Sequence, residues 1–130
     1  LLDFVPILDV YNNIVIIEEC KMWNITFYVD HRGNCPPKEF IENLTVMEQA
    51  KIRNSLRLLQ EFGTNLSMPH AKQINGKLWE LRPGEFRLFY FAYIEQQFVI
   101  LHGYRKKGQK APNREIAIAM RRMQTLMDEV

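Results

Sequence analysis

Eight side chains in the second half of the chain carry groups that a bond-breaking site would use: Glu80, Arg82, Arg87, His102, Tyr104, Lys106, Lys107 and Lys110. They supply one carboxylate, one imidazole, one phenol and five cations. No glycine-rich phosphate loop, no metal-ligand cluster and no Ser-His-Asp order accompanies them. Such a set suits cleavage of an RNA phosphodiester with neither a metal nor another cofactor. The 2′-hydroxyl needs a base, the departing oxygen needs an acid, and the crowded phosphorane needs positive charge. Arg87, Glu80, His102, Lys106 and Lys107 are the candidate catalytic groups. Arg82, Tyr104, Arg105, Lys110 and Arg114 are candidate RNA contacts, since guanidinium and aromatic planes hold unstacked bases. Arg87 stands out because a charge near the start of an otherwise apolar strand needs a partner or a ligand.

Blander readings compete with each of these. Trp79 reads as core. His102 lies in an apolar strand, where a satisfied structural histidine is as good a reading as a catalytic one. Glu80 and Arg82 fit a same-face ion pair, and the isolated His31 and His70 read as surface.

The elements that must position these groups are legible from periodicity. Trp23–Val29 alternates like a strand, and Asp30–Asn34 is a turn. Pro36-Pro37 opens a short helix with Phe40, Ile41 and Leu44 on its apolar side. Thr45 and Glu48 have capping-box spacing ahead of a helix striped by Ile52, Leu56 and Leu59. Gly63 is placed to end that helix in a left-handed cap, and 64–70 reads as loop. Strand signals follow at Leu78–Arg82, Phe86–Tyr93 and Phe98–Tyr104, joined by short turns, with a basic loop from Arg105 to Asn113. Pro112 starts a last helix with Ile116, Met120, Met123 and Met127 in one stripe; methionine-rich helices also serve adaptable interfaces. The expected fold is α+β: an antiparallel sheet of the N-terminal strand plus a three-strand meander, with two N-terminal helices and one C-terminal helix. The helices are expected to cover one face and leave the other for function. Glu80 and Arg82 share one face of their strand, and Arg87 shares a face with Phe89 and Phe91. If these faces coincide, one carboxylate and two guanidinium groups gather on the open side.

With 130 residues, 47% hydrophobic and 25% charged, the chain is long enough for one domain with a real core. The net charge of +2 conceals an asymmetry: residues 70–114 carry +6 and residues 1–21 carry −3. A local basic excess of this kind attracts a polyanion. Cys20 and Cys35 form neither a disulfide framework nor a zinc spacing, so a reduced, cytoplasmic setting is expected. No apolar stretch approaches the roughly 20 residues of a membrane span, and the apolar N-terminus lacks the basic flank of a secretory signal. The first Met is Met22. Glu18-Glu19 is necessarily encoded by a purine run suited to ribosome binding just upstream of it. Residues 1–21 are therefore expected to be translated leader or a non-native extension, with the domain proper at 22–130. The competing reading is a genuine extra strand around Asn13–Ile17.

Leu78-Trp79-Glu80-Leu81-Arg82, then Phe86-Arg87-Leu88-Phe89-Tyr90-Phe91, then Leu101-His102-Gly103-Tyr104-Arg105-Lys106-Lys107-Gly108-Gln109-Lys110-Ala111-Pro112 together resemble the phage-derived, HigB-like branch of the RelE/ParE toxin superfamily. Trp23–Val29, Pro37–Phe40 and Glu115-Ile116 fit as well, so the resemblance spans about residues 22–128. It implies a RelE-like fold and a small toxin from a type II toxin–antitoxin pair. It implies metal-independent cutting of mRNA on the translating ribosome, and neutralisation by a cognate antitoxin with a helix-turn-helix DNA-binding domain. The strand arginine of RelE matches Arg87, and its basic loop matches Arg105–Lys110 in character. The RelE strand lysines do not transfer, because Leu78 and Glu80 stand there. The C-terminal tyrosine has no match, and Asn113 lies nearby. Glu80 and His102 are both left as candidates for the general base, with Arg87 and Lys106 or Lys107 as phosphate stabilisers. Two other functions fit the residues: a ParE-like gyrase-directed toxin, which needs only a binding surface, and a non-enzymatic nucleic-acid or partner-binding module.

Overall fold

A computed structural model describes residues 4–8, 14–18, 22–109 and 112–129. Within the first 21 residues, β1 (Phe4–Leu8) and β2 (Ile14–Glu18) pair antiparallel, from Phe4 opposite Glu18 to Leu8 opposite Ile14. The rest of the expected leader lies outside the described residues.

From residue 22 the chain forms β3 (Asn24–Phe27), α1 (Pro36–Glu42), α2 (Val46–Phe62), a 3-10 turn (Gly63–Asn65), β4 (Ala71–Asn75), β5 (Leu78–Leu81), β6 (Phe86–Ala92), β7 (Gln97–Arg105) and α3 (Asn113–Asp128). The capping box is made as its spacing predicts. The Glu48 backbone N–H donates to the Thr45 hydroxyl at 3.2 Å, and the Thr45 N–H donates to the Glu48 carboxylate at 3.0 Å. Gly63 ends α2 at φ 56° and ψ −132°, a positive-φ cap but not the expected left-handed helical one. A side chain there would also collide with the Trp23 indole.

The sheet order is β3-β7-β6-β5-β4. Strands β4 to β7 form an antiparallel meander, but β3 lies parallel to β7, with Asn24 opposite Gln97 and Phe27 opposite Ile100. The sheet is therefore mixed and five-stranded, not the purely antiparallel sheet expected. The parallel pair arises because the chain travels through α1, α2 and the whole meander before β7 returns beside β3, so no local turn dictates their direction. Strand β4 occupies a stretch that the pattern left unassigned.

Helices cover both faces, which corrects the expectation of one uncovered face. On one side α1 and α2 seal Ile52, Leu59, Leu81, Phe86, Leu88, Tyr90, Phe98 and Ile100, with Trp23 stacked on Phe98 at 4.2 Å. On the other side α3 packs Ala119 and Met123 against Leu78, Phe89, Phe91, Val99 and Leu101. Ile116 and Met120 join that second core, while Met127 is exposed. Among the described residues no helix is long and apolar enough to cross a membrane.

Candidate active site

One irregularity in β7 decides which side chains meet. Phe89 pairs with His102, but the next residue, Tyr90, pairs with Ile100. The extra residue, Leu101, is a β-bulge, so two consecutive β7 residues face α3. Leu101 packs into the α3-side core and His102 stacks on Phe89 from the same side. Strict alternation from Val99 would have placed Gly103 and Arg105 there instead. The bulge turns His102 and Tyr104 onto the face that carries Arg87. Gly103 then faces α1, where an added Cβ would lie 2.7 Å from Phe40 Cδ2 and 2.8 Å from Leu88 Cδ2.

Cross-strand register completes the face. Lys72, Glu80, Phe89 and His102 stand in one row across β4, β5, β6 and β7, and Arg87 stands opposite Tyr104. The condition set by the sequence is met: the Glu80 face and the Arg87 face are one. Beyond the end of α3 the row opens into a cavity of about 380 Å³, lined by Lys72, Glu80, Arg82, Arg87, Tyr104 and Lys106, with Asn113 and Ile116 from the first turn of α3.

Glu80 is the charged centre of this cavity. It is 4% exposed, with Arg82 Nε at 3.5 Å and Arg87 Nε at 3.8 Å from the same carboxylate oxygen, Oε1. Arg87 is also buried, and its Nη1 donates to the carbonyls of Gly84 and Phe86, each at 2.7 Å. These two bonds hold the guanidinium at the β5–β6 turn. Burial and the neighbouring Arg82 charge push it below its ordinary value, against the pull of Glu80. Arg82 donates from Nη1 to the Met68 sulfur at 3.3 Å. The Tyr104 hydroxyl is buried without a hydrogen-bond partner of good geometry. Burial, with the Glu80 carboxylate next, pushes its phenol up to about 12, so it is protonated at neutral pH.

The remaining candidates lie elsewhere. His102 is two strands from Glu80, with Phe89 between them. Its Nε2 lies 2.7 Å from Glu115 Oε1, and its Nδ1 lies 3.5 Å from Arg122 Nη1. Arg105 projects to the α1–α2 side, over the Phe86 ring, and pairs with Glu48 at 3.0 Å and Glu85 at 2.7 Å. Lys107 and Arg114 are exposed and do not line the cavity. Lys110 lies outside the described residues. The sequence marks Lys72 only as part of the basic excess of 70–114 and not as a site residue: β4 has no apolar alternation strong enough to mark it as a strand, and its pairing with Glu80 brings the ammonium to the cavity.

A second cavity, of about 320 Å³, opens on the α2 side between Trp79, Tyr90, Phe98, Leu66 and Lys77. It is apolar and offers no acid–base pair. Among the described residues no three His, Cys, Asp or Glu side chains are grouped as a metal ion would require.

The family model of the phage-derived protein Gp49-like group (DUF891) matches residues 39–124. That covers about two thirds of the chain, from within α1 to near the end of α3. The chain belongs to this family. No curated protein matches it. The Gp49-like match includes every described residue that lines the 380 Å³ cavity. It excludes β1, β2 and β3.

Proposed function

We propose that this chain is the toxin of a type II toxin–antitoxin pair and a ribosome-dependent mRNA endoribonuclease that works without a metal. It would be a HigB-like member of the RelE/ParE superfamily. The observation that carries the reading is the cavity itself: one buried carboxylate, two guanidinium groups, two lysines and a protonated phenol around one space. In the proposed reaction Glu80 takes the proton of a 2′-hydroxyl as that oxygen attacks phosphorus. Arg87, Arg82, Lys106 and Lys72 meet the charge of the phosphorane. Tyr104 gives its proton to the departing 5′-oxygen, leaving a 2′,3′-cyclic phosphate and a 5′-hydroxyl. A high phenol value suits a group that must hold its proton until the transition state.

Membership of a phage-derived Gp49-like family supports the toxin reading. The implied partners are mRNA on the ribosome and a helix-turn-helix antitoxin, with action in the cytoplasm. The test is to add the full chain to a translating extract and map mRNA ends. Cuts within codons that need ribosomes, end in cyclic phosphate and vanish with Arg87→Ala are expected. Intact mRNA with gyrase-dependent DNA breaks would replace this reading with a ParE-like one. Silence in both assays would leave a binding module.

A further inference from the structure

His102 shares the cavity's face of the sheet without lining the cavity, yet it touches two things that shape it. Its Nε2 meets Glu115 at 2.7 Å. Glu115 sits in the first turn of α3, between the two cavity-lining residues Asn113 and Ile116. That turn has no side-chain cap, because Pro112 is at the N-cap position. The imidazole also stacks beside Tyr104, with ring centroids 6.1 Å apart and planes 19° apart, while Phe89 closes the stack at 6.4 Å from His102 and 5.6 Å from Tyr104.

We propose that His102 is a positioning residue: with Glu115 it pins the first turn of α3 as the wall of the cavity, and by stacking it sets the angle of the Tyr104 ring. The groups facing His102 fix its protonation. From α3, Glu115 approaches Nε2 and the Arg122 guanidinium approaches Nδ1. From β6 and β7, the facing rings are Phe89 and Tyr104. A guanidinium only donates, so Nδ1 must accept and the proton sits on Nε2, toward Glu115. Both nitrogens are thereby engaged, and the ring is not free to accept a proton from substrate. Arg122 makes the second tie between α3 and β7 by donating to the Leu101 carbonyl at 2.8 Å.

The activity arm of the test rests on the nuclease reading; the structural arm does not. His102→Ala and Glu115→Ala are expected to lower kcat by roughly tenfold to a hundredfold with little change in KM, as misplacement of catalytic groups does. His102→Gln, which keeps a donor where Nε2 stood, is expected to restore most of the rate. Independently of activity, hydrogen exchange at the Asn113–Ile116 amides should quicken in His102→Ala and Glu115→Ala but not in His102→Gln. The Tyr104 ring resonances should shift in His102→Ala. If His102→Gln is folded yet as inactive as His102→Ala, the imidazole acts in the chemistry and the proposal falls. If exchange in the first turn of α3 is unchanged in His102→Ala, it falls as well, even if no variant or parent cuts RNA.

Discussion

Glu80 and His102 stand in the same row of the sheet, two strands apart, with the Phe89 ring between them. Two strand spacings amount to roughly 10 Å, so the carboxylate and the imidazole cannot share one proton path. Glu80 opens into the cavity with Arg82, Arg87 and Tyr104, while His102 turns to Glu115.

That separation makes Glu80 the base to test. Glu80→Gln preserves shape but removes both the charge and the proton acceptor. Cleavage is expected to fall by roughly a hundredfold or more, with RNA affinity unchanged or tighter. The fold should survive with a loss of about 1–3 kcal/mol in urea unfolding, since Arg82 and Arg87 lose their carboxylate. A variant that cuts at the parent rate would remove Glu80 from the mechanism.

Stability should depend on pH through His102. Burial, with the Arg122 charge beside it, lowers its value from the ordinary 6.5 against the pull of Glu115. The unfolded chain therefore binds the proton more readily than the folded one. The stabilisation is complete above about pH 6.5 and is lost as pH falls from there toward the folded value. Urea unfolding of the parent between pH 7.5 and pH 5.5 should show the decline, and His102→Gln should flatten it. An equal slope in both proteins would assign the effect to other groups.

Salt should weaken RNA binding steeply, because the cavity meets its ligand with cations. For a single strand, each phosphate contact removed lowers the slope of log affinity against log salt by about 0.7. Lys72→Ala and Lys106→Ala should each lower it by about that amount. Lys107→Ala, outside the cavity lining, should lower it less. Titrations of an RNA oligonucleotide at several salt concentrations measure this directly.

Gly103→Ala should destabilise the fold although its backbone is ordinary. The new methyl group would meet Phe40 Cδ2 at 2.7 Å and Leu88 Cδ2 at 2.8 Å. Overpacking of this kind costs about 1–3 kcal/mol. Urea unfolding reads the loss, and Phe40→Leu in the same chain should recover part of it.

Local chemistry made much of this molecule readable. The Thr45–Glu48 box, the helix striped by Ile52 and Leu59, and the three apolar strands at 78, 86 and 98 each carry their own signal, and each forms. Period two alone put Glu80 with Arg82 on one strand face and Arg87 with Phe89 on another, and the β5–β6 register made the two faces one. Long-range pairing left no such mark. The direction of β3 against β7, the cover of α3 over the second face and the tie from His102 to Glu115 join residues far apart in the chain. Arg105 shows the same limit: its basic neighbours suggest RNA, and its pairing with Glu48 and Glu85 on the α1–α2 side is set by residues distant in sequence. Lys72 stayed hidden as a site residue because AKQIN, the sequence of β4, has no hydrophobic rhythm.

The extra residue at Leu101 gives β7 two reading frames. Before it, the strand is phased to the oily interior; after it, the strand is phased to the cavity. Laid down in strict alternation without that offset, the same residues would put Gly103 and Arg105 where His102 and Tyr104 now stand. The interior and the chemistry of this strand can therefore drift apart in sequence, provided that the offset between them is kept.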